Sequence, residues 1–232
     1  MEKNQFELCL KVLKRLNEQK LLDDIILIGS WCMPFYKEFF SGIKYLSTYK
    51  TRDVDFLVPQ PRRIKINIDI GALLKDFGFV IGYKGSKGFM RLEHEDLIIE
   101  FLSPERGKGT DKPVPLPQLK INAHALRFLD FLAETIIKVK VEDFYVSMLH
   151  PATFALHKLI ISERRANEEK AEKDRSMAFQ LLNALIEKGE DKKIKEVFCS
   201  SPIKWQKKII KVIKETHNKK ILEILEVNSE EA

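Results

Sequence analysis

Three short apolar runs constrain this chain more than any other feature. IILIGS (25–30), DVDFLV (53–58) and LIIEFL (97–102) are rich in β-branched and aromatic residues, too brief for core helices, and read as buried strands. Each nevertheless carries polar groups: Gly29-Ser30 closes the first, Asp53 and Asp55 open the second, and Glu100 sits inside the third.

The segments between them complete a pattern. Residues 3–22 place Phe6, Cys9, Leu10, Leu13 and Leu16 at helical spacing, and 31–40 can be helical from a start near Pro34. Residues 70–77 read as a helix stopped by Gly78; 79–83 and 89–93 read as strands joined through the GSKG turn. Helix, strand, helix, strand, helix and then a strand meander predicts an α+β fold, a mixed sheet flanked by helices, rather than a doubly wound parallel sheet. Residues 103–118, with Pro113, Pro115 and Pro117, are expected to be a surface loop with an extended end, and 121–146 to hold at least one strand, in TIIKVKV. From Pro151 glycine nearly disappears and helix formers dominate. Helices over 151–165, 168–188, 191–198, 202–216 and 219–227 predict a small bundle. The boundary falls near His150, giving a catalytic domain over 1–149 and a C-terminal helical domain over 150–232.

At 232 residues and 44% hydrophobic content the chain can bury an ordinary core. No apolar run approaches the roughly 20 residues of a membrane span, and the opening MEKNQFELCL lacks the apolar stretch of a secretory signal. A cytoplasmic protein is expected, with no membrane partner. Cys9, Cys32 and Cys199 are odd in number and far apart, as reduced thiols are. The net charge of +6 favours phosphate-bearing partners, though only weakly.

Two carboxylates at i and i+2 on a strand project to one face, so Asp53 and Asp55 can share a divalent cation with substrate phosphates. Alone, the DVD pattern is more often two solvated aspartates on an exposed strand face. Glu100 shifts that balance, because burying an unpaired carboxylate costs roughly several kcal/mol and a metal ion is a common partner. Gly29-Ser30 can present backbone N–H groups and a hydroxyl to a phosphate, or can simply be a strand-to-helix turn with Ser30 as cap. Arg52 either faces a triphosphate or solvates the start of its strand.

LIGS, then TRDVDFLV, then LIIEFL resembles the nucleotidyltransferase superfamily that includes DNA polymerase beta, whose pattern is hG[GS], Dh[DE]h and a third acidic residue on a later strand. The resemblance implies that Gly29 and Ser30 hold the phosphates of an NTP; Arg52, directly before the DxD, is a candidate nucleotide contact on position alone. It also implies that Asp53, Asp55 and Glu100 are catalytic and bind Mg²⁺ or Mn²⁺. The implied reaction moves a nucleoside monophosphate from the NTP to a hydroxyl acceptor: a small molecule, a tRNA or a protein. The alternative is a catalytically inactive member with a binding or regulatory role. The interval from Ser30 to Asp53 is longer than in many members, and its Tyr36, Lys44 and Tyr45 either touch substrate or belong to the core.

The helical part, HPATFALHKLIISERRANEEKAEKDRSMAFQLL, is similar to that of bacterial nucleotidyltransferase-like proteins including the AbiEii-type toxins. The matching residues are Lys158, Arg164, Arg165, Lys173 and Asp174, of which Lys158 and Asp174 are implied nucleotide contacts. The resemblance adds the expectation of a toxin role with an antitoxin-like partner. Read by itself, Lys158 lies beside the apolar run LII and must snorkel or reach a cleft, whereas the arginines and Lys173 lie in a dense charge run. An RNA acceptor needs a basic groove, which KWQKKIIKVIKETHNKK either supplies or merely imitates as an amphipathic face. The five histidines show no metal-ligand spacing and are expected to be structural.

Overall fold

The computed structural model describes residues 3–45, 51–105, 112–127 and 129–226. Helix α1 (Lys3–Glu18) buries Cys9, Val12, Leu13 and Leu16, one stripe at helical spacing. A 3₁₀ turn at Leu21–Asp23 leads into strand β1 (Ile26–Ile28), buried throughout. Gly29–Trp31 forms a second 3₁₀ turn and runs directly into α2 (Cys32–Phe39). Pro34 sits in the first turn of α2, where its missing N–H would have had no intrahelical acceptor.

Strand β2 (Asp53–Leu57) is followed by a turn at Pro61–Arg63 and by α3 (Ile70–Leu73), which is capped by the Asp69 side chain accepting from the Ala72 N–H at 2.9 Å. The helix expected over 70–77 stops at Leu73, and a 3₁₀ turn at Lys75–Phe77 ends on Gly78 at φ +88°. Strands β3 (Val80–Lys84), β4 (Phe89–Glu93) and β5 (Ile98–Pro104) come next. The region expected to be a loop is partly sheet: β5 extends to Pro104, and β6 (Val114–Leu116) pairs antiparallel with β7 (Ile121–Leu126). Pro115 is tolerated in β6 because, among the described residues, that strand pairs only with β7. A short α4 (Leu129–Leu132) precedes the hairpin of β8 (Ile136–Val141) and β9 (Phe144–Leu149).

The strand order is β3-β4-β5-β2-β1-β9-β8, with β7 joined to β5 and β6 to β7. The sheet is mixed: β1 runs antiparallel to β2 and parallel to β9, while β2 and β5 are parallel. Along one edge β5 changes partner, pairing with β4 at Ile98 and Ile99 and with β7 from Leu102 to Pro104. At the change the side chain of Asn122 replaces backbone, its Oδ1 accepting from the Met90 N–H at 2.9 Å and its Nδ2 donating to the Gly88 carbonyl at 3.0 Å.

The chain divides into two compact units. One comprises residues up to Phe35 together with those from Thr48 to Leu149; the other takes the described part of Tyr36–Ser47 with everything from His150 onward. In the second unit α5 (Pro151–Ser162) is buried on nearly every side, so it is the central helix, and α6 (Glu168–Glu187), α7 (Asp191–Ser200), α8 (Ile203–Glu215) and α9 (Lys219–Glu226) complete the bundle. Tyr36 is core here, its ring edge-on to Phe40 and Phe154. His150 caps α5 by accepting the Ala152 N–H on Nδ1 at 3.1 Å, and burial pushes its pKa down to about 4.

Candidate active site

The sheet register assembles the acidic residues. Asp55 is the Cα partner of Ile28 on β1 and of Glu100 on β5, and Asp53 is the partner of Ile98. Register partners on parallel strands project to one side, so Asp53, Asp55 and Glu100 share a face, while Val54 and Phe56 are buried on the other. Accessibility falls across the site: Asp53 is exposed, Asp55 half-buried, and the Glu100 side chain only 12% exposed.

Gly29 lies against this face at φ +72°, a conformation that L side chains rarely adopt. A Cβ there would stand 2.5 Å from Asp55 Oδ2. The glycine is thus required twice, for the turn into α2 and for the space beside the carboxylate. Ser30 follows in the same turn.

Glu100 has a partner that the sequence pattern did not point out. Lys84, on β3, donates to both carboxylate oxygens of Glu100 at 2.9 and 3.1 Å. The clue was the alternation Val80, Gly82, Lys84, which aims the lysine to the face shared by alternate residues, but only the hairpin register shows which face that is. His124 on β7 is the register partner of Leu102 and stacks on Phe89 with ring centroids 4.1 Å apart. Burial, and then the charge of Lys84, hold its pKa below the ordinary histidine value.

Arg52 donates through Nη2 to the His94 carbonyl at 2.7 Å, so it ties down the β4–β5 turn. In that turn His94, Glu95 and Asp96 place one ligand atom each within 4.8 Å of one another, the one His/Cys/Asp/Glu group of three that does so among the described residues. His94 Nδ1 there accepts the Asp96 N–H at 3.0 Å, the geometry of a side-chain-capped turn. Asp53, Asp55 and Glu100 are not drawn that close. Their donor set is all carboxylate oxygen, which suits a hard divalent cation, and Gly29 preserves the space beside Asp55 that a side chain would fill. The residues present therefore fit such an ion.

In the second unit Lys158 on α5 donates to Asp174 Oδ1 at 2.6 Å, and Arg165 Nε to Asp174 Oδ2 at 2.8 Å. Asp174 is 3% exposed, a buried carboxylate between two cations. His157, next to Lys158, has its pKa pushed down to about 4, first by burial and then by the Lys158 charge.

The family model described as nucleotidyltransferase matches residues 7–200. The chain belongs to that nucleotidyltransferase family. No curated protein matches it. Among solved structures, this nucleotidyltransferase is similar to an antigenic nucleotidyltransferase-like protein from Paracoccidioides brasiliensis. The identity is 14%, over 93% of this chain and 92% of that one, at a TM-score of 0.52, a likeness of fold. It is also similar to the antibiotic-resistance factor ANT(2″)-Ia in solution, at 13% identity, 95% of each chain and a TM-score of 0.45. The crystal structure of ANT(2″)-Ia with adenylyl-2″-tobramycin matches at 14% identity, 84% of this chain, 95% of that one and a TM-score of 0.48. Among the described residues of this nucleotidyltransferase, no helix is long and apolar enough to cross a membrane.

Proposed function

We propose that the protein is a metal-dependent nucleotidyltransferase that moves a nucleoside monophosphate from an NTP to a hydroxyl acceptor. The observation that carries this reading is the approach of Gly29 to Asp55, with Asp55 in register with Glu100: a tight positive-φ turn set directly against one carboxylate of an acidic sheet face. Asp53, Asp55 and Glu100 would hold Mg²⁺ or Mn²⁺, which would supply neutralisation of the charge that develops on the departing pyrophosphate. Gly29 and Ser30 would cradle the phosphates. The acceptor oxygen bonds to the α-phosphorus as the α–β anhydride bond breaks, pyrophosphate leaves, and the hydroxyl proton passes to a carboxylate, for which Glu100 is our assignment. Arg52 acts on this reading through the turn it anchors.

The narrower reading, in which Lys158 and Asp174 contact nucleotide and the protein is a toxin-type member with an antitoxin-like partner, rests on the sequence resemblance; in the structure Lys158 and Arg165 are both ion-paired to Asp174. An RNA acceptor draws less support. On α8, Lys211 is paired with Glu163 and Lys214 with Glu226, which offsets part of the charge that a basic groove on this stretch would need. The alternative of a nucleotide-binding protein without turnover is favoured by one observation, the engagement of Glu100 by Lys84.

Incubation with each NTP labelled at the α-phosphate, Mg²⁺ or Mn²⁺, and separate pools of small metabolites, tRNA and protein tests the proposal. Label transferred to one pool with release of pyrophosphate supports it; nucleotide binding with no transfer to any pool supports the alternative.

A further inference from the structure

The ion pair between Lys84 and Glu100 spans more of the sheet than a neighbouring pair would. Lys84 is on β3 and Glu100 on β5, with β4 between them, a lateral distance of roughly 10 Å that both side chains must be extended to bridge. β4 pairs with β5 at only two register positions, beyond which the Asn122 side chain takes the Met90 N–H and the Gly88 carbonyl. Arg91 does not compete for the carboxylate, since its Nε donates to Glu93 at 2.6 Å. The lysine is half-exposed and the glutamate nearly buried, so the ammonium can withdraw into water whereas the carboxylate cannot.

We propose that Lys84 is a tethered counter-cation for Glu100, holding the third carboxylate while no divalent ion is present and yielding it when one binds. The inference rests on the assignment of Asp53, Asp55 and Glu100 as a cation site. One lysine cannot keep both Glu100 oxygens while a metal takes one at full strength, so the lysine lowers cation affinity. It also holds a nearly buried carboxylate in place in the metal-free protein.

The test is Mn²⁺ binding to the full chain without nucleotide, read from the loss of the free-ion electron paramagnetic resonance signal. Far-UV circular dichroism checks that each variant is folded. Lys84→Met is expected to tighten binding roughly three- to tenfold, the range for one partly exposed charge-assisted contact. Lys84→Arg, which keeps the charge, should stay near the unmodified protein. In a Glu100→Gln background, Lys84→Met should give no such gain. Unchanged or weaker Mn²⁺ binding by Lys84→Met, while Asp55→Asn abolishes binding, would overturn the proposal and leave the site intact. An equal gain in the Glu100→Gln background would overturn it as well, reducing the effect to bulk charge. Mn²⁺ binding that survives Asp55→Asn would overturn the site assignment and this inference together.

Discussion

Replacing Gly29 by alanine separates backbone strain from damage to the site, because Gly42 provides a matched control. Both glycines adopt positive φ, +72° and +83°, but a Cβ on Gly42 meets nothing within 4 Å whereas one on Gly29 meets Asp55 Oδ2 at 2.5 Å. An alanine held in the left-handed region costs about 1–2 kcal/mol, partly offset by about 0.4–1 kcal/mol from a less flexible unfolded chain. Each variant should therefore lose about 1 kcal/mol from the backbone alone. At Gly29 the carboxylate must also retreat by about 1 Å to reach ordinary contact, which is more than the tolerance of an Mg²⁺ coordination shell. Gly29→Ala should thus weaken Mn²⁺ binding at least about tenfold, and Gly42→Ala should leave it unchanged. Urea denaturation gives the stability change and Mn²⁺ titration the affinity. Unaltered affinity in Gly29→Ala, or equal losses in both variants, would refute the argument that the glycine serves the carboxylate.

The buried histidine cap of α5 makes a pH prediction. His150 titrates near 6.5 when unfolded and at about 4 when folded, so the stability it confers is fully present above pH 6.5 and is lost as pH falls toward 4. His157, also held at about 4, adds a loss of stability over the same window, so His150→Asn, which keeps a capping acceptor, should remove only its own share, roughly 3 kcal/mol, of the pH dependence seen in urea melts at the two pH values. Asp174→Asn leaves Lys158 buried without its counter-ion and should cost about 3 kcal/mol by denaturation, whereas the double change Lys158→Met with Asp174→Leu should cost less than the single one. A thiol reagent should modify Cys199 in the native protein and reach Cys9 and Cys32 only on unfolding, since those two are buried and burial raises the Cys9 pKa far above the usual thiol value.

The three motif strands were legible because a strand's chemistry is local: β-branched runs, a glycine at the exit, carboxylates two residues apart. The sheet's far side was less so. β6 was read as loop because Pro113, Pro115 and Pro117 argue against a ladder, and only the one-sided pairing with β7 makes a strand possible there. The helix over 70–77 was overestimated because apolar spacing continues past Leu73 while the backbone tightens into a 3₁₀ turn. Tyr36 illustrates why inserts resist reading, since its place beside Phe154 depends on a residue more than a hundred positions away. Lys84 escaped for the same reason: its partner is two strands away, and no spacing rule links residues 84 and 100.

The most direct test of the central claim is transfer of α-phosphate label from an NTP by the unmodified protein and by Asp55→Asn, with pyrophosphate release measured in parallel and folding checked by circular dichroism. The unmodified chain should show Mg²⁺- or Mn²⁺-dependent transfer, and Asp55→Asn none. Transfer that persists at the same rate in the folded Asp55→Asn variant would contradict it.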